Sequence, residues 1–452
     1  MRPDALIERV LAAPDDDEAR LVYADACEEA GDIERATFIR LQLDQARLSR
    51  WDSRHFELAH AVRMLEARNR RRWLAELPHF DGVAYGRFRR GFVDTVYTRR
   101  ARDLDLALPR LRDSVPLRRW VCRLADEDGL SLRDPAHDIR EVELESWSRR
   151  DGQEVYLMAR ALGLPVCADL DRLALPWSRP AYDVDIGEVL RRWGCRVREL
   201  SLGCDALEPV AMEAFLEAPG LQRLERLELG SQSHPPRNTS IDPEHVLALV
   251  LKCRSLVALD IDTGHLAPES AQVVFDHGPP GLEELAVSGT TGIDPRRASF
   301  TLRSLRAQRL VLDLTAPCFT RLHTLAGWGP DGEFVLPQSL QALRISGGTA
   351  TCADPPTELE SLELSRAPGL VGMVHGCHRT LRTLRLLECG NLAVLPTMPR
   401  LRVLRVHEGA VDADLLERHP GVRSLSLSYQ EVSDRMLRAT ASMDLVDIDL
   451  PA

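Results

Sequence analysis

Potential metal ligands crowd together at His375-Gly376-Cys377-His378. A soft divalent cation would accept two imidazoles and a thiolate if a fourth donor came from elsewhere in the fold. A surface turn between two structural elements accounts for the same residues without a metal, and is the reading adopted. Cys204, beside Asp205, and Cys27 could act as thiol nucleophiles only next to a histidine, and no neighbouring motif supplies one. His55, Glu57 and His60 do not place two histidines one helical turn apart with the acid beside the first, so they read as a solvated helix face. Asp15, Asp16 and Asp17 lack the alternating oxygen ligands and turn glycine of a calcium loop. Lys252 follows Ala-Leu-Val-Leu rather than a glycine-rich phosphate loop, and no G-x-S-x-G, H-E-x-x-H or paired C-x-x-C occurs. The residues thus point to no catalytic centre, no cofactor and no metal, and the expectation is a protein that is not an enzyme.

Composition narrows the partners. The 452 residues carry a formal net charge of −11, and Lys252 is the sole lysine among the basic residues. An acidic chain whose only basic run is Arg70-Arg71-Arg72 lacks the clustered cations that displace counterions from nucleic acid, so no general nucleic-acid binding is expected. No apolar run approaches the length of a membrane span, and no membrane association is expected. The 10 cysteines form no C-x-x-C and fall mostly within apolar patterns, which reads as small buried hydrophobes in a reducing compartment. Without the charged and apolar regions of a secretion signal at the start, the expected location is cytoplasmic.

The elements that would position a binding surface are repeats. Residues 381–392, LRTLRLLECGNL, read L-x-x-L-x-L-x-x-C with a leucine three residues on. The same skeleton recurs at Leu340, Leu343, Ile345; Leu359, Leu362, Leu364; Leu401, Leu404, Val406; and Val422, Leu425, Leu427, with starts 19 to 22 residues apart. This resembles a leucine-rich-repeat array, in which each short strand buries its leucines only against its neighbours. The repeats begin weakly after Gly91, with residues 92–97 and 117–124 reading as strands; fuller units start at Ile139, Leu170, Val197, Leu224, Leu256, Leu282, Leu302 and Leu322, and a last one at Leu445. Spacings of 26 to 32 residues between 139 and 282 leave room for helices such as 210–216 and 246–250, whereas the later spacings predict short connections. The resemblance implies an α/β solenoid, a leucine-rich-repeat horseshoe with a parallel sheet on its concave face, preceded by a small all-α N-terminal domain. About sixteen strands at roughly 4.8 Å would give an inner face on the order of 70 Å long. Most units lack the consensus asparagine, so a broken amide ladder is expected.

Ahead of the repeats, Leu6, Ile7, Val10 and Leu11 have helical spacing up to Pro14, and further helices are expected from Asp15 to Gly31, over 33–48 and over 54–77. Residues 14–42, PDDDEARLVYADACEEAGDIERATFIRLQ, resemble the bacterial repeat-companion domain, sharing Asp16, Arg20, Tyr23, Ala24, Asp25, Gly31, Asp32, Phe38, Ile39 and Gln42 with its pattern. Arg72-Trp73-Leu74 and Phe88-Arg89-Arg90-Gly91-Phe92-Val93 continue it. Ala26, Cys27 and Thr37 depart from the tryptophan, leucine and glutamate usual there, the first removing a large core side chain. The resemblance implies company with repeats and carries no activity to any residue. The expected organisation is a helical repeat-companion-like domain at 1–80, a transition and N-terminal cap at 81–135, and the array at 136–452.

Residues between the core leucines would face outward. Trp328, Arg344, Arg385, Leu387, Arg405, His407 and Tyr429 collect there in the C-terminal half, and Trp, Tyr and Arg dominate interface energies. Glu143, Glu228, Asp260, Asp262 and Glu284 form a second, acidic patch, while Glu141, Arg172, Glu199 and Arg226 alternate in sign as a structural ladder would. The function expected is recognition of a protein partner by an adaptor or sensor in a bacterium, with the helical segment docking to another component. An enzyme or enzyme regulator of ligase or GTPase-activating type would need a dedicated catalytic domain, and residues 1–80 are too small and too plainly helical for one.

Overall fold

A computed structural model describes residues 3–48, 53–124, 139–146, 170–175, 197–202, 209–229, 241–261, 266–287, 292–307, 313–329, 335–349, 351–352, 354–389, 395–407, 413–428, 434–440, 443 and 445–449. They belong to two compact units, residues 1–49 with 58–265 and residues 50–57 with 266–452.

The first unit begins with α1 (Pro3–Ala12), α2 (Asp17–Glu29), α3 (Ile33–Arg47) and the greater part of α4 (Ser53–Ala75). Asp16 caps α2 by accepting the Glu18 N–H at 2.9 Å, with Asp17 and Glu18 at the positive end of the helix dipole. Gly31 ends that helix at φ 87°, and Asp32 caps α3 by accepting the Arg35 N–H at 3.1 Å. Ala24, Cys27, Ala36, Ile39 and Leu43 bury between the helices in one cluster, and Ala26 is itself 8% exposed. Small side chains on both helices let them approach closely, so the tryptophan of the family pattern has a small buried replacement.

Next come β1 (Val83–Tyr85), β2 (Phe88–Arg89), β3 (Phe92–Val93), β4 (Thr95–Thr98), α5 (Ala101–Arg112), β5 (Arg119–Leu124), β6 (Glu141–Ser146), β7 (Arg172–Leu175), β8 (Glu199–Leu202), α6 (Pro209–Leu216), β9 (Arg226–Leu229), α7 (Pro243–Lys252) and β10 (Ala258–Ile261). β4 to β10 pair in chain order and in parallel, with β1 antiparallel on β4. Val96, Trp120, Val142, Leu173, Leu200, Leu227 and Leu259 share one register position and are all buried. The parallel ladder therefore starts at Thr95, within the strand expected over 92–97, and β5 matches the one expected over 117–124. β1, β2 and α5 were not anticipated; α5 carries Pro109, which hides it from a reading that treats proline as a stop.

The second unit holds α8 (Pro268–His277), β11 (Glu284–Val287), β12 (Ser304–Ala307), β13 (Thr324–Trp328), β14 (Ala342–Ser346), β15 (Ser361–Ser365), β16 (Thr383–Leu387), β17 (Val403–His407), β18 (Ser424–Ser428) and β19 (Leu445–Asp449), again parallel in chain order. Leu285, Leu305, Leu325, Leu343, Leu362, Leu384, Leu404 and Leu425 form the buried row. The fold is an α/β solenoid of leucine-rich repeats. Connections after residue 300 carry only short helical pieces, Pro317–Phe319, Pro368–Met373, Val374–Cys377, Ala413–Glu417 and Asp434–Thr440, as the shorter spacings require. One strand departs from the expected register: Leu445 lies opposite Ser424 and Val446 opposite Leu425, so the register position of the second core residue falls on Val446 and no repeat starts at Leu445.

Several strands close in the left-handed region, at Gly329 (φ 56°), Gly347 (φ 70°), Arg366 (φ 51°) and Glu388 (φ 52°). The N–H of each donates to the last residue of the next strand: Ser346, Ser365, Leu387 and His407 carbonyls at 2.8, 2.6, 2.8 and 2.9 Å. Cys389, at the consensus Asn or Cys position, is buried and donates its thiol to the Leu364 carbonyl at 3.4 Å, doing with sulfur what the missing asparagines would do.

Leu362 and Leu384 are fully buried, so Leu362→Ala or Leu384→Ala should each destabilise the array by about 2–5 kcal/mol. A chemical-denaturation midpoint unchanged in either variant would remove that leucine from the core row.

Candidate functional site

Alternation along each strand turns the residues between core leucines outward, and parallel pairing stacks them into rows running across the strands. A leading row precedes the second core residue, a middle row follows it, and a trailing row follows the third. In the first unit the leading row reads Thr95, Arg119, Glu141, Arg172, Glu199, Arg226, Ala258. Its charges alternate, and Glu199 lies 3.9 Å from both Arg172 and Arg226. Arg89 extends the ladder by pairing with Glu141 at 3.0 Å. The sign alternation read from the sequence is thus a set of lateral neighbours, each charge flanked by opposites.

The second unit arranges the same positions differently. Its leading row is small or uncharged from Ser304 through Thr324, Ala342, Ser361, Thr383 and Val403 to Ser424, and Thr383, Val403 and Ser424 are buried. Charge moves to the middle row, Arg306, Ala326, Arg344, Glu363, Arg385, Arg405, Ser426. Glu363 accepts from both sides, with Arg344 Nε at 3.0 Å and Arg385 Nη1 at 3.2 Å. Arg385 and Arg405 are direct register neighbours, an opposition of like charges that sheets normally avoid. Arg306 and Arg405 have polar interactions of their own. Along this row arginine stands at four positions and a carboxylate at two, Glu363 and, opposite Ser426, the register position of Asp447, and Arg344 is 65% exposed.

The trailing row places Trp328 opposite Ser346, then Ser365, Leu387, His407 and Ser428 in order. Leu387 and His407 are thus neighbours, half-buried, one step beyond Arg385 and Arg405. Five of the expected site residues, Arg344, Arg385, Leu387, Arg405 and His407, fall on two adjacent rows of one sheet face, and Trp328 occupies the trailing row of β13. Tyr429 lies outside the described residues. Glu363 belongs to the same face and pairs with Arg385, one of the two partners (with Glu388) that the sequence offered for that arginine; Arg306 was not singled out, although reading the middle position of every repeat would have found it.

Three of the acidic residues, Glu143, Glu228 and Asp260, share the middle row of the first unit, in line with Ala174 and Ser201. Glu143 is ion-paired to Arg119. Glu228 and Asp260 are register neighbours on the middle row of the first unit, Glu284 starts the leading row of the second, and all three have polar interactions. Asp262 lies outside the described residues. A cleft of about 500 Å³ before strands β6 to β9 is lined by Arg140, Asp171, Arg198, Arg223 and Glu225, a mixed-charge set in which Arg198 already lies 3.4 Å from Glu225.

The residues with chemical potential read as structural. Cys377 is buried with its thiol 3.4 Å from the Met373 carbonyl, and His378 Nδ1 lies 2.7 Å from the His375 carbonyl. Burial pushes the Cys377, Cys318 and Cys122 thiols up to about 12, the wrong direction for a nucleophile. Burial also raises the Cys27 thiol. Among the described residues no group of three or more His, Cys, Asp or Glu is placed to hold a metal ion. No helix among them is long and apolar enough to cross a membrane. Cys204 lies outside the described residues.

No family model matches the chain, and no curated protein does. Among solved structures it is similar to an internalin (inlF) from Listeria monocytogenes, at 14% identity and a TM-score of 0.35, covering 63% of this chain and 82% of that one. It is also similar to a chain of the Toll–Spatzle complex from Drosophila, at 15% identity and a TM-score of 0.33, covering 79% of this chain and 51% of that one. The chain spans about half the length of the second. At these TM-scores the repeat architecture stands on the strand register and burial described above.

Because a raised thiol pKa keeps the thiolate scarce well above neutral pH, Cys318 and Cys377 should resist alkylation in the native protein at about pH 8 and react once it is denatured. Mass-spectrometric mapping of the label checks this; rapid native modification of either would show an open, activated thiol.

Proposed function

We propose that the protein is a non-catalytic recognition protein, an adaptor or sensor, whose second-unit sheet face holds an acidic segment of a protein partner. The supporting observation is the contrast between charged rows. The leading row of the first unit alternates in sign, whereas the second unit places Arg344, Arg385 and Arg405 on one row, with the Glu363 carboxylate between the first two. Arginine forks suit bidentate carboxylate contacts, and Leu387 and His407 on the next row give the same segment an apolar step. Trp328 and Tyr429 are proposed to flank this surface. The carboxylates at Glu143, Glu228, Asp260, Asp262 and Glu284 are assigned to the repeat framework rather than to a second site. The reading places the protein in a bacterial cytoplasm.

Selection of a displayed peptide library against the full chain tests this. Acidic peptides should be enriched, should bind less tightly as salt is raised, and should be lost by the Arg385→Glu, Arg405→Glu double variant while its thermal midpoint stays near that of the wild type. Peptides without acidic bias, or peptides retained equally by the folded double variant, would remove the assignment.

A further inference from the structure

The residues that give residues 14–42 their family resemblance have no part in the strand-face reading, yet Arg20, Tyr23, Phe38, Ile39 and Gln42 among them meet one short segment. β2 and β3 form a hairpin, Phe88 opposite Val93 and Arg89 opposite Phe92, closed by Arg90 and Gly91 at φ 50° and 89°. Strands of two residues do not make a hairpin that stands in water unaided. A two-residue loop with both residues left-handed favours Asn-Gly, and arginine at its first position is disfavoured.

The helices supply what the hairpin lacks. Arg20 of α2, 3% exposed, donates from Nη1 to the Arg90 carbonyl at 2.7 Å and from Nη2 to the Pro14 carbonyl at 2.6 Å. Gln42 of α3, 8% exposed, donates to the Phe88 carbonyl at 3.1 Å and accepts the Gly91 N–H at 2.6 Å. Arg70 of α4 donates to the Tyr85 and Gly86 carbonyls at 3.1 and 2.6 Å, fixing the end of β1. Phe38 and Trp73 close on the Phe88 ring at 5.6 and 5.7 Å. A Cβ at Gly91 would stand 2.3 Å from Ile39 Cγ1, so α3 is seated against the turn itself. Arg20 Nη1, the Gln42 amide and Arg70 Nη2 thus bond to backbone groups of residues 85–91.

That segment leads directly into the repeats. Asp94, the residue after β3, offers the carbonyl that accepts the Arg118 and Arg119 N–H groups at 2.8 and 2.9 Å, the first rung of a ladder repeated at the Arg118, Arg140, Asp171 and Arg198 carbonyls. β1, only three residues long, covers the outer edge of β4. We infer that α2, α3 and α4 act within the chain as the N-terminal cap of the repeat ladder: they hold the 88–93 hairpin and β1 in the geometry that sets the first rung. Arg20 and Gln42 are positioning residues for that rung, so this face of the helices is engaged within its own chain and not presented to a second partner. The occupied surface is the hairpin, and the inference stands independently of the acidic-segment reading.

Hydrogen exchange followed by mass spectrometry on the full chain tests it. In Gln42→Leu and Arg20→Met, peptides covering 95–98 and 119–124 should exchange at least about tenfold faster, while peptides covering 383–387 change little. Arg40→Ala, which removes a guanidinium paired with Asp25 and Glu28 on the outer surface, should leave both regions at wild-type rates. Should Gln42→Leu fail to give folded protein, Gln42→Glu keeps the acceptor for Gly91 and loses only the donor to Phe88, with the same readout at smaller size. Faster exchange confined to 17–47, with 95–98 and 119–124 unchanged, would make the helices a separate module and overturn the inference. A rise no larger at 95–98 than at 383–387 would overturn it as well.

Discussion

One carbonyl per repeat governs the register of this chain. The residue just ahead of a strand accepts two N–H groups from the next repeat: Asp171 from Arg198 and Glu199, Glu225 from Val257 and Ala258, His323 from Gln341 and Ala342, Arg382 from Arg402 and Val403. Two bonds to one oxygen fix both where the next strand starts and which way its first side chain points, and a slip of one residue would exchange the core face for the outer one. Everything else follows from that rung. Leucines meet leucines in a buried row, and whatever lies between them becomes a row on the surface whose composition is free to vary.

That freedom is used differently in the two units. Placing charge on the leading row with strict alternation, as Arg119, Glu141, Arg172, Glu199 and Arg226 do, gives each ion opposite charges as its register neighbours, and Glu199 lies near both Arg172 and Arg226. Keeping that row small and moving arginine to the middle row, as around Glu363, instead leaves guanidinium groups sharing one carboxylate. Exposed pairs of this kind contribute at most about 1 kcal/mol each to folding, so the second arrangement is not explained by stability.

The sequence made the core legible because leucine spacing is dictated by the rung, and Leu362, Leu384 and Leu425 sit where the spacing puts them. It misled at Leu445, which is not the start of a repeat: the pairing puts Leu445 at the Ser424 position and Val446 at the Leu425 position. It was silent on the hairpin at 88–93, since strands of two residues have no periodicity to read and Arg90-Gly91 does not advertise a left-handed loop. Candidate surface residues were found singly, by type. The pairing of Arg385 with Glu363 could be read from adjacent repeats, but the second pairing of Glu363, with Arg344, and the grouping as a whole depended on cross-strand register.

The left-handed closures at Gly329, Gly347, Arg366 and Glu388 give the second unit a set of equivalent joints. Between one joint and the next lies a complete strand, its inward leucines and its connection, and each joint hands its N–H to the neighbour in the same way. A stretch cut and rejoined at corresponding joints preserves every bond on both sides, whereas a single residue added inside a strand preserves none downstream. Length in such a chain is therefore inherited in whole modules: recombination between repeats can extend or shorten the surface without inventing a new fold, and the connecting segments are where the lengths of modules are free to drift.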